Sequence, residues 1–303
     1  MPADRRALRG ALGRTGVWSF TLETRSAAEE RTAAERIEAM GYRVLWFPEA
    51  VDSKEAFAQS ALLLGATERA VVGTGIANIW ARDPVAMANG WRALSDAHPG
   101  RFLLGIGVSH RYAVDRRGHR YERPYSRMRE YLDAMDAAPT SAPQPAGPLW
   151  RVLAALGPRM LELAAERAEG AHPYFVPVEH TAFARARLGP DPVLAVEQTA
   201  VLQTDPSRAR GIARTFADGY LASPNYARNL KRMGWGDHDI AGGGSDRLID
   251  AVVAWGDVDR IVARVREHLE AGADHVCLQV VAEAEDDVCL GQLEELAPAL
   301  SEL

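Results

Sequence analysis

Short apolar runs alternate with longer segments of helical period along this 303-residue chain. The apolar runs are rich in β-branched residues, a composition that is typical of strands. They cover residues 16–20, 43–47, 70–75, 102–107, 151–155, 170–176, 193–202 and 274–280. The segments 26–40 and 258–271 each carry an apolar stripe at the spacing of an amphipathic helix. The order of elements therefore indicates a repeated βα unit.

The ends of two helical segments support this pattern. Gly41 and Gly272 come directly after them, at the position where a left-handed residue commonly ends a helix. Near-continuous apolar strands are typical of a parallel sheet that is covered on both faces, and eight strands can close a barrel. The sequence predicts a (β/α)8 TIM barrel, a single domain over residues 1–303. An open doubly wound sheet is the competing topology.

Two stretches interrupt the βα repeat. Residues 139–148 are rich in Pro, Ala and Ser, which predicts a surface linker before the fifth strand. Residues 223–255 lie between the seventh and eighth strands, and Pro224, Gly234 and Gly236 divide them into short helices. Long insertions in compact domains are usually functional or mobile. We therefore expect this helical insertion to contribute to the site.

Polar residues and glycines follow five of the predicted strands. Functional groups lie at the carboxyl ends of the strands in a parallel barrel, so these positions are the candidate site residues. They are Glu49 after the second strand, Gly75, Ile76 and Asn78 after the third, Gly107, Val108, Ser109 and His110 after the fourth, Gly157, Pro158, Arg159 and Met160 after the fifth, and His172 after the sixth. Glycines here let the backbone approach a flat ring or a phosphate, although glycines also serve plain turns.

The segment after the fifth strand has the character of a phosphate site. Pro158 follows Gly157 at a predicted helix start, where proline is favoured and free N–H groups attract phosphate. Arg159 would add a charge-assisted hydrogen bond. The alternative is an ordinary strand-to-helix turn with a solvated arginine.

Three of the candidates are able to move a proton. Glu49 would carry a proton or accept a hydrogen bond from a ring N–H, and its alternative role is an ion pair with a neighbouring arginine. His110 and His172 are candidate acids near neutral pH, because the unperturbed pKa of histidine is about 6.5.

Composition and charge exclude several classes of protein. The net charge is −6, with 35 basic and 41 acidic residues interspersed, so nucleic acid is not an expected partner. Cys277 and Cys289 form no disulfide framework, and neither a signal peptide nor a membrane span is evident, so we expect a cytoplasmic protein without membrane contact. The spacings of metal sites, serine-hydrolase elbows and dinucleotide fingerprints are also missing from the sequence, so no metal is expected.

Three segments together resemble the luciferase-like monooxygenase superfamily, in particular its actinobacterial branch of F420-dependent oxidoreductases. They are GYRVLWFPE at 41–49, VGTGIANIWARDP at 72–84 and RFLLGIG at 101–107. The similarity continues through 156–160, 191–192 and 271–276, and so extends over nearly the whole chain.

The resemblance implies a barrel with a late insertion, commonly dimeric, that holds a flavin or deazaflavin at the strand ends. It implies a bulge after the third strand, often with a non-prolyl cis peptide, at Gly75 and Ile76. It would place Glu49, Asn78 and the segment 107–109 beside the ring, and the segment 157–160 beside the phosphate. Glu49 stands where sugar-phosphate dehydrogenases of the superfamily have a histidine, which argues against a sugar phosphate as substrate.

The resulting hypothesis is hydride transfer between coenzyme F420 and a small organic substrate, with Glu49, His110 or His172 as the proton carrier. The alternatives are an FMN-dependent monooxygenase and a barrel that binds a cofactor without turnover. Aromatic side chains in the insertion and in the loop after the fourth strand favour an aromatic or hydrophobic substrate. They are Tyr112, Tyr121, Tyr226 and Trp235.

Overall fold

The computed structural model describes residues 5–283 and 288–303. The strands in these ranges are β1 (Thr15–Trp18), β2 (Val44–Phe47), β3 (Val71–Thr74), β4 (Ala77–Asn78), β5 (Phe102–Gly107), β6 (Trp150–Leu153), β7 (Gly170–Ala171), β8 (Val193–Leu202), β9 (Val253–Gly256) and β10 (His275–Val280). The helices are α1 (Arg5–Leu12), α2 (Ala27–Ala39), α3 (Ala56–Ala66), α4 (Pro84–Ala97), α5 (Arg111–Arg116), α6 (Pro124–Asp136), α7 (Pro158–Arg167), α8 (Val178–Leu188), α9 (Pro206–Leu221), α10 (Pro224–Arg232), α11 (Asp237–Ile240), α12 (Asp246–Val252), α13 (Val258–Glu270) and α14 (Leu290–Ser301). A 3-10 turn, Thr21–Thr24, follows β1. Within the described ranges, no helix combines the length and the apolar character that crossing a membrane requires.

Eight of these strands close into a parallel barrel. They pair in the order β10, β1, β2, β3, β5, β6, β7 and β8, and β8 pairs again with β10. The short strand β4 pairs with β5, and β9 pairs with the carboxyl-terminal half of β8. The predicted TIM barrel is therefore confirmed. The open doubly wound sheet is wrong, because an open sheet would leave two edge strands unpaired.

The sixth barrel strand is shorter than the sequence predicts. Residues 170–176 were expected to be extended, but β7 covers only Gly170–Ala171. The chain then turns through Phe175, which has a positive φ of 54° and is 1% exposed. The apolar pattern of this segment reflects burial of a loop at the barrel end rather than strand pairing.

The two predicted helix ends are confirmed. Gly41 follows α2 with a φ of 97°, and Gly272 follows α13 with a φ of 107°. This left-handed region is readily available to glycine because it lacks a Cβ atom.

The predicted insertion between the seventh and eighth barrel strands contains α10, α11, α12 and most of β9. Apolar side chains of α10 and α12, including Leu230, Leu248 and Ile249, pack against Ala213 and Ala217 of α9. This packing fixes the insertion over the carboxyl end of the barrel. Residues 139–148, the predicted linker, form an irregular connection between α6 and β6.

The amino-terminal helix α1 closes the opposite end. Leu8 and Leu12 are fully buried and pack with Trp46 and Trp150 inside the barrel. The guanidinium of Arg9 pairs with Asp274 at 2.9 Å. Side chains therefore fill the barrel interior at the end that α1 closes, which we call the floor of the barrel. A cavity remains at the opposite end, where the carboxyl ends of the strands lie.

We predict that Leu12→Ala lowers the free energy of unfolding by about 2 to 5 kcal/mol, because it opens a cavity in this floor. The measurement is urea denaturation followed by circular dichroism. Val85→Ala is the matched control, because Val85 is 39% exposed and its truncation should change stability by less than about 0.5 kcal/mol. Equal losses in the two variants would contradict the packing role of α1.

Candidate active site

A cavity of about 330 Å³ lies at the carboxyl ends of the barrel strands; we call it the strand-end cavity. Nine of the candidate residues line it. These are Glu49, Gly75, Ile76, Val108, Ser109, His110, Gly157, Met160 and His172. Asn78, Gly107, Pro158 and Arg159 do not contribute to its wall. A groove of about 450 Å³ beside α13 is larger, but it lies away from the candidate residues, so the strand-end cavity is the candidate site.

The bulge after β3 forms part of the cavity wall. The peptide bond between Gly75 and Ile76 is cis, as the resemblance implied. The position of Gly107 leaves room for this bulge, because a Cβ atom there would approach Ile76 Cδ1 to 2.7 Å. Gly107 therefore packs behind the bulge and is not part of the cavity wall.

Glu49 forms an ion pair in the cavity wall. One of its carboxylate oxygens accepts hydrogen bonds from the backbone N–H of Asn78 at 2.7 Å and from Arg82 Nη1 at 3.1 Å. The other oxygen accepts from Arg82 Nη2 and from the N–H of Ala56. The side chains of Glu49 and Arg82 are 2% and 9% exposed, respectively. The alternative role named for Glu49 is the one that the geometry supports, because both oxygens are already engaged.

His110 has a fixed orientation in the cavity. Its Nδ1 lies 3.3 Å from the side-chain oxygen of Asn225, at the start of α10. An amide oxygen only accepts, so Nδ1 carries the hydrogen and Nε2 is free to accept a proton. Burial lowers the pKa of His110 below its usual value. At neutral pH this geometry therefore favours His110 as a proton acceptor over the acid role expected from the sequence.

His172 is also neutral. Its Nδ1 donates to the carbonyl oxygen of Ala195 at 2.9 Å, and its ring stacks on Trp46 with centroids 4.5 Å apart. Burial lowers the pKa of His172 to about 4. With no proton on Nε2, the uncharged ring of His172 does not favour the acid role expected from the sequence.

The start of α7 carries the positive charge expected for a phosphate site, but a different arginine supplies it. Arg159 is exposed and lies over the ring of Tyr125, 4.0 Å from its centroid. In contrast, Arg232 Nη2 lies 3.7 Å from the Cβ position of Gly157, and Arg228 and Arg232 both line the cavity. Neither has an acidic partner among the described residues, and burial together with Arg228 lowers the pKa of Arg232.

This arginine pair was absent from the sequence expectations, although a signal was present. Arg228 and Arg232 are four residues apart on α10, so they share one face of that helix. Together with the uncapped N–H groups at the start of α7, they concentrate positive charge in a way that suits an anion, and we call this set the anion-binding arrangement.

Aromatic side chains cover much of the remaining wall. Tyr112, Tyr121 and Tyr226 line the cavity as expected, whereas Trp235 stacks under Arg247 outside it. Four further aromatic residues belong to this wall. They are Trp18, Phe20, Tyr174 and Tyr220. Among the described residues, no group of three or more His, Cys, Asp or Glu side chains is arranged to hold a metal.

Comparisons with known proteins identify the family of this chain. The family model described as luciferase-like monooxygenase matches residues 10–275. An uncharacterized protein of Mycobacterium tuberculosis (strain ATCC 25618 / H37Rv) is 30% identical, over 82% of this chain and 89% of the relative. The 5,10-methylenetetrahydromethanopterin reductase of Methanolobus tindarius is 24% identical, over 80% of this chain and 87% of the relative.

Solved structures show the same fold. The coenzyme F420-dependent tetrahydromethanopterin reductase of Methanopyrus kandleri superimposes with a TM-score of 0.76 at 17% identity, covering 95% of this chain and 99% of that one. An FMN complex of a type II Baeyer–Villiger monooxygenase from Pseudomonas putida gives a TM-score of 0.67 at 17% identity, covering 94% and 98%. With the family match over most of its length, the chain belongs to the luciferase-like monooxygenase family, whose members are oxidoreductases or monooxygenases.

Proposed function

We propose that this protein transfers a hydride between coenzyme F420 and a small organic substrate. The observation that carries the proposal is the arrangement of the strand-end cavity, which joins a ring-sized aromatic space at Gly75 and Ile76 to the anion-binding arrangement of Arg228, Arg232 and α7. A ring joined to a phosphate has this distribution of apolar surface and charge. The cofactor would supply the hydride chemistry, while the protein positions and shields it.

The charge around the cavity favours the deazaflavin over FMN. The deazaflavin coenzyme continues beyond its phosphate into a chain of glutamates, whereas FMN ends at the phosphate. The segment 111–129 lines the cavity through Tyr112, Ala113, Tyr121 and Pro124. It has seven arginines, which lie beyond the cavity wall, and two acidic residues, although the whole chain has a net charge of −6. Such a concentration of positive charge suits a polyanionic tail.

His110 is the residue that we propose for proton transfer. Its Nε2 is left free by the contact of Nδ1 with Asn225, and the residue lines the cavity beside Tyr226. Oxidation of an alcohol by hydride loss also releases the hydroxyl proton, which a neutral imidazole can accept. Glu49 instead holds the bulge in place through Asn78 and Arg82.

An FMN-dependent monooxygenase is the second candidate, since an FMN-binding monooxygenase shares the fold. We expect the purified protein to bind F420 at least about tenfold more tightly than FMN, because only the glutamate tail of F420 would extend toward the basic segment. Fluorescence titration of each cofactor measures this, and oxygen uptake with reduced FMN tests the alternative. FMN binding of equal strength, with oxygen consumption, would favour the monooxygenase. Absence of binding by either cofactor would contradict both proposals.

We predict that Arg232→Ala weakens F420 binding by about 1.5 to 3 kcal/mol, because it removes a charge-assisted contact to the phosphate. Arg159→Ala is the matched control, since Arg159 is exposed and stacks on Tyr125. Titration of both variants by cofactor fluorescence provides the comparison. If only Arg159→Ala weakens F420 binding, Arg159 contacts the phosphate as expected from the sequence, and Arg232 does not belong to the site.

We predict that Glu49→Gln lowers the free energy of unfolding by about 3 kcal/mol, because it breaks a buried ion pair with Arg82. The rate of hydride transfer per bound cofactor should remain within a few-fold of the wild-type rate. Glu55→Gln is the control, since Glu55 also pairs with Arg82 but is 51% exposed, and its loss should change stability by less than about 1 kcal/mol. A stable Glu49→Gln variant without turnover would identify Glu49 as the proton carrier.

A further inference from the structure

Two buried nitrogen atoms at the floor of the strand-end cavity have no hydrogen-bond partner within the described part of the protein. They are Nε1 of Trp18 and Nε2 of His172. The residues are 2% and 1% exposed, and both line the cavity. An unpaired buried polar atom is destabilising, so we expect a ligand in the cavity to form hydrogen bonds with both nitrogens.

Both atoms lie close to Gly75. A Cβ atom on Gly75 would contact Trp18 Nε1 and would lie 3.2 Å from His172 Nε2. Since neither nitrogen has a partner, they do not bond to each other. The missing side chain of Gly75 thus lets both nitrogens lie beside the bulge, with the indole in the space that a Cβ atom would take.

The chemistry of the two atoms is complementary. An indole N–H can only donate a hydrogen bond. His172 Nδ1 uses its hydrogen on the carbonyl oxygen of Ala195, so Nε2 of the neutral ring can only accept. Stacking on Trp46 fixes the plane of the imidazole ring. The cavity floor therefore presents one donor and one acceptor side by side in a rigid arrangement.

We infer that Trp18 and His172 form a two-point site for the edge of a cyclic imide. A ring N–H donates to His172 Nε2, and an adjacent carbonyl oxygen accepts from Trp18 Nε1. This inference rests on the proposed function, since deazaflavins and flavins both carry such an edge on the pyrimidine half of the ring. A carboxylate does not satisfy the site, because it would set a second acceptor against His172 Nε2.

The location of the pair agrees with this orientation. Trp18 and His172 lie at the Gly75 bulge, whereas Arg232 lies near the start of α7, and Arg228 is one turn before it on α10. A ligand with a ring at one end and a phosphate at the other would contact both sites at once. The arginines would select the phosphate, and the Trp18 and His172 pair would select the edge of the ring.

The test uses a probe without a phosphate, so that the arginine pair makes no contribution. The probes are 8-hydroxy-5-deazariboflavin and its N3-methyl derivative, in which the imide N–H is replaced. Fluorescence titration gives the dissociation constant of each. We expect methylation to weaken binding to the wild-type protein about tenfold, because one hydrogen bond is lost and a methyl group faces His172.

Variants locate the effect on the two residues. In His172→Asn the new amide can still donate to Ala195 but no longer reaches the cavity, so the two probes should bind with similar affinity. Trp18→Phe should weaken both probes by a similar factor, because it removes the donor and keeps an aromatic ring. Trp255→Phe is the matched control, since the indole of Trp255 donates to Asp250 at 2.7 Å outside the cavity.

Equal affinity of the two probes for the wild-type protein would overturn the inference while leaving the proposed function in place. If the folded protein binds neither F420 nor the unmethylated probe, the result would contradict the proposed function, and this inference with it. Circular dichroism checks that each variant folds. If His172→Asn does not fold, the comparison of probes on the wild-type protein and on Trp18→Phe decides the outcome.

Discussion

A closed barrel of eight parallel strands has an interior that side chains must fill, and this constraint shapes the rest of the molecule. Leu8 and Leu12 of α1 fill the floor, and Trp46 lies above them. The indole of Trp46 donates to His275 at 3.2 Å and stacks on His172. The packed interior therefore sets the position of the imidazole that borders the cavity.

The fold was predictable because its signals are local. Eight apolar runs separated by amphipathic segments indicate parallel strands with helical crossovers, and Gly41 and Gly272 mark helix ends whose backbone conformation the structure reproduces. The bulge at Gly75 and Ile76 was identified through a family resemblance, not through periodicity. The helix α1 and the short length of β7 were not predicted, because burial inside a barrel depends on contacts between distant segments.

The roles of individual site residues were harder to predict than their positions. Glu49 does border the cavity, but its partner Arg82 is 33 residues later in the chain, and no local pattern joins them. Arg159 follows the expected helix start, yet its side chain points to Tyr125, and Arg232 takes its place from another helix. Strand-end residues can be found from a repeat, whereas the pairing of long charged side chains depends on tertiary structure.

One helix of the insertion supplies the cavity with an amide, a phenol and two guanidinium groups. These belong to Asn225, Tyr226, Arg228 and Arg232 of α10. A ligand that contacts them binds only when α10 is docked on the barrel, so its binding free energy also opposes undocking of that helix. Ligand affinity and the local stability of the insertion are thus thermodynamically linked, and sequence changes beneath α10 alter affinity without touching the ligand.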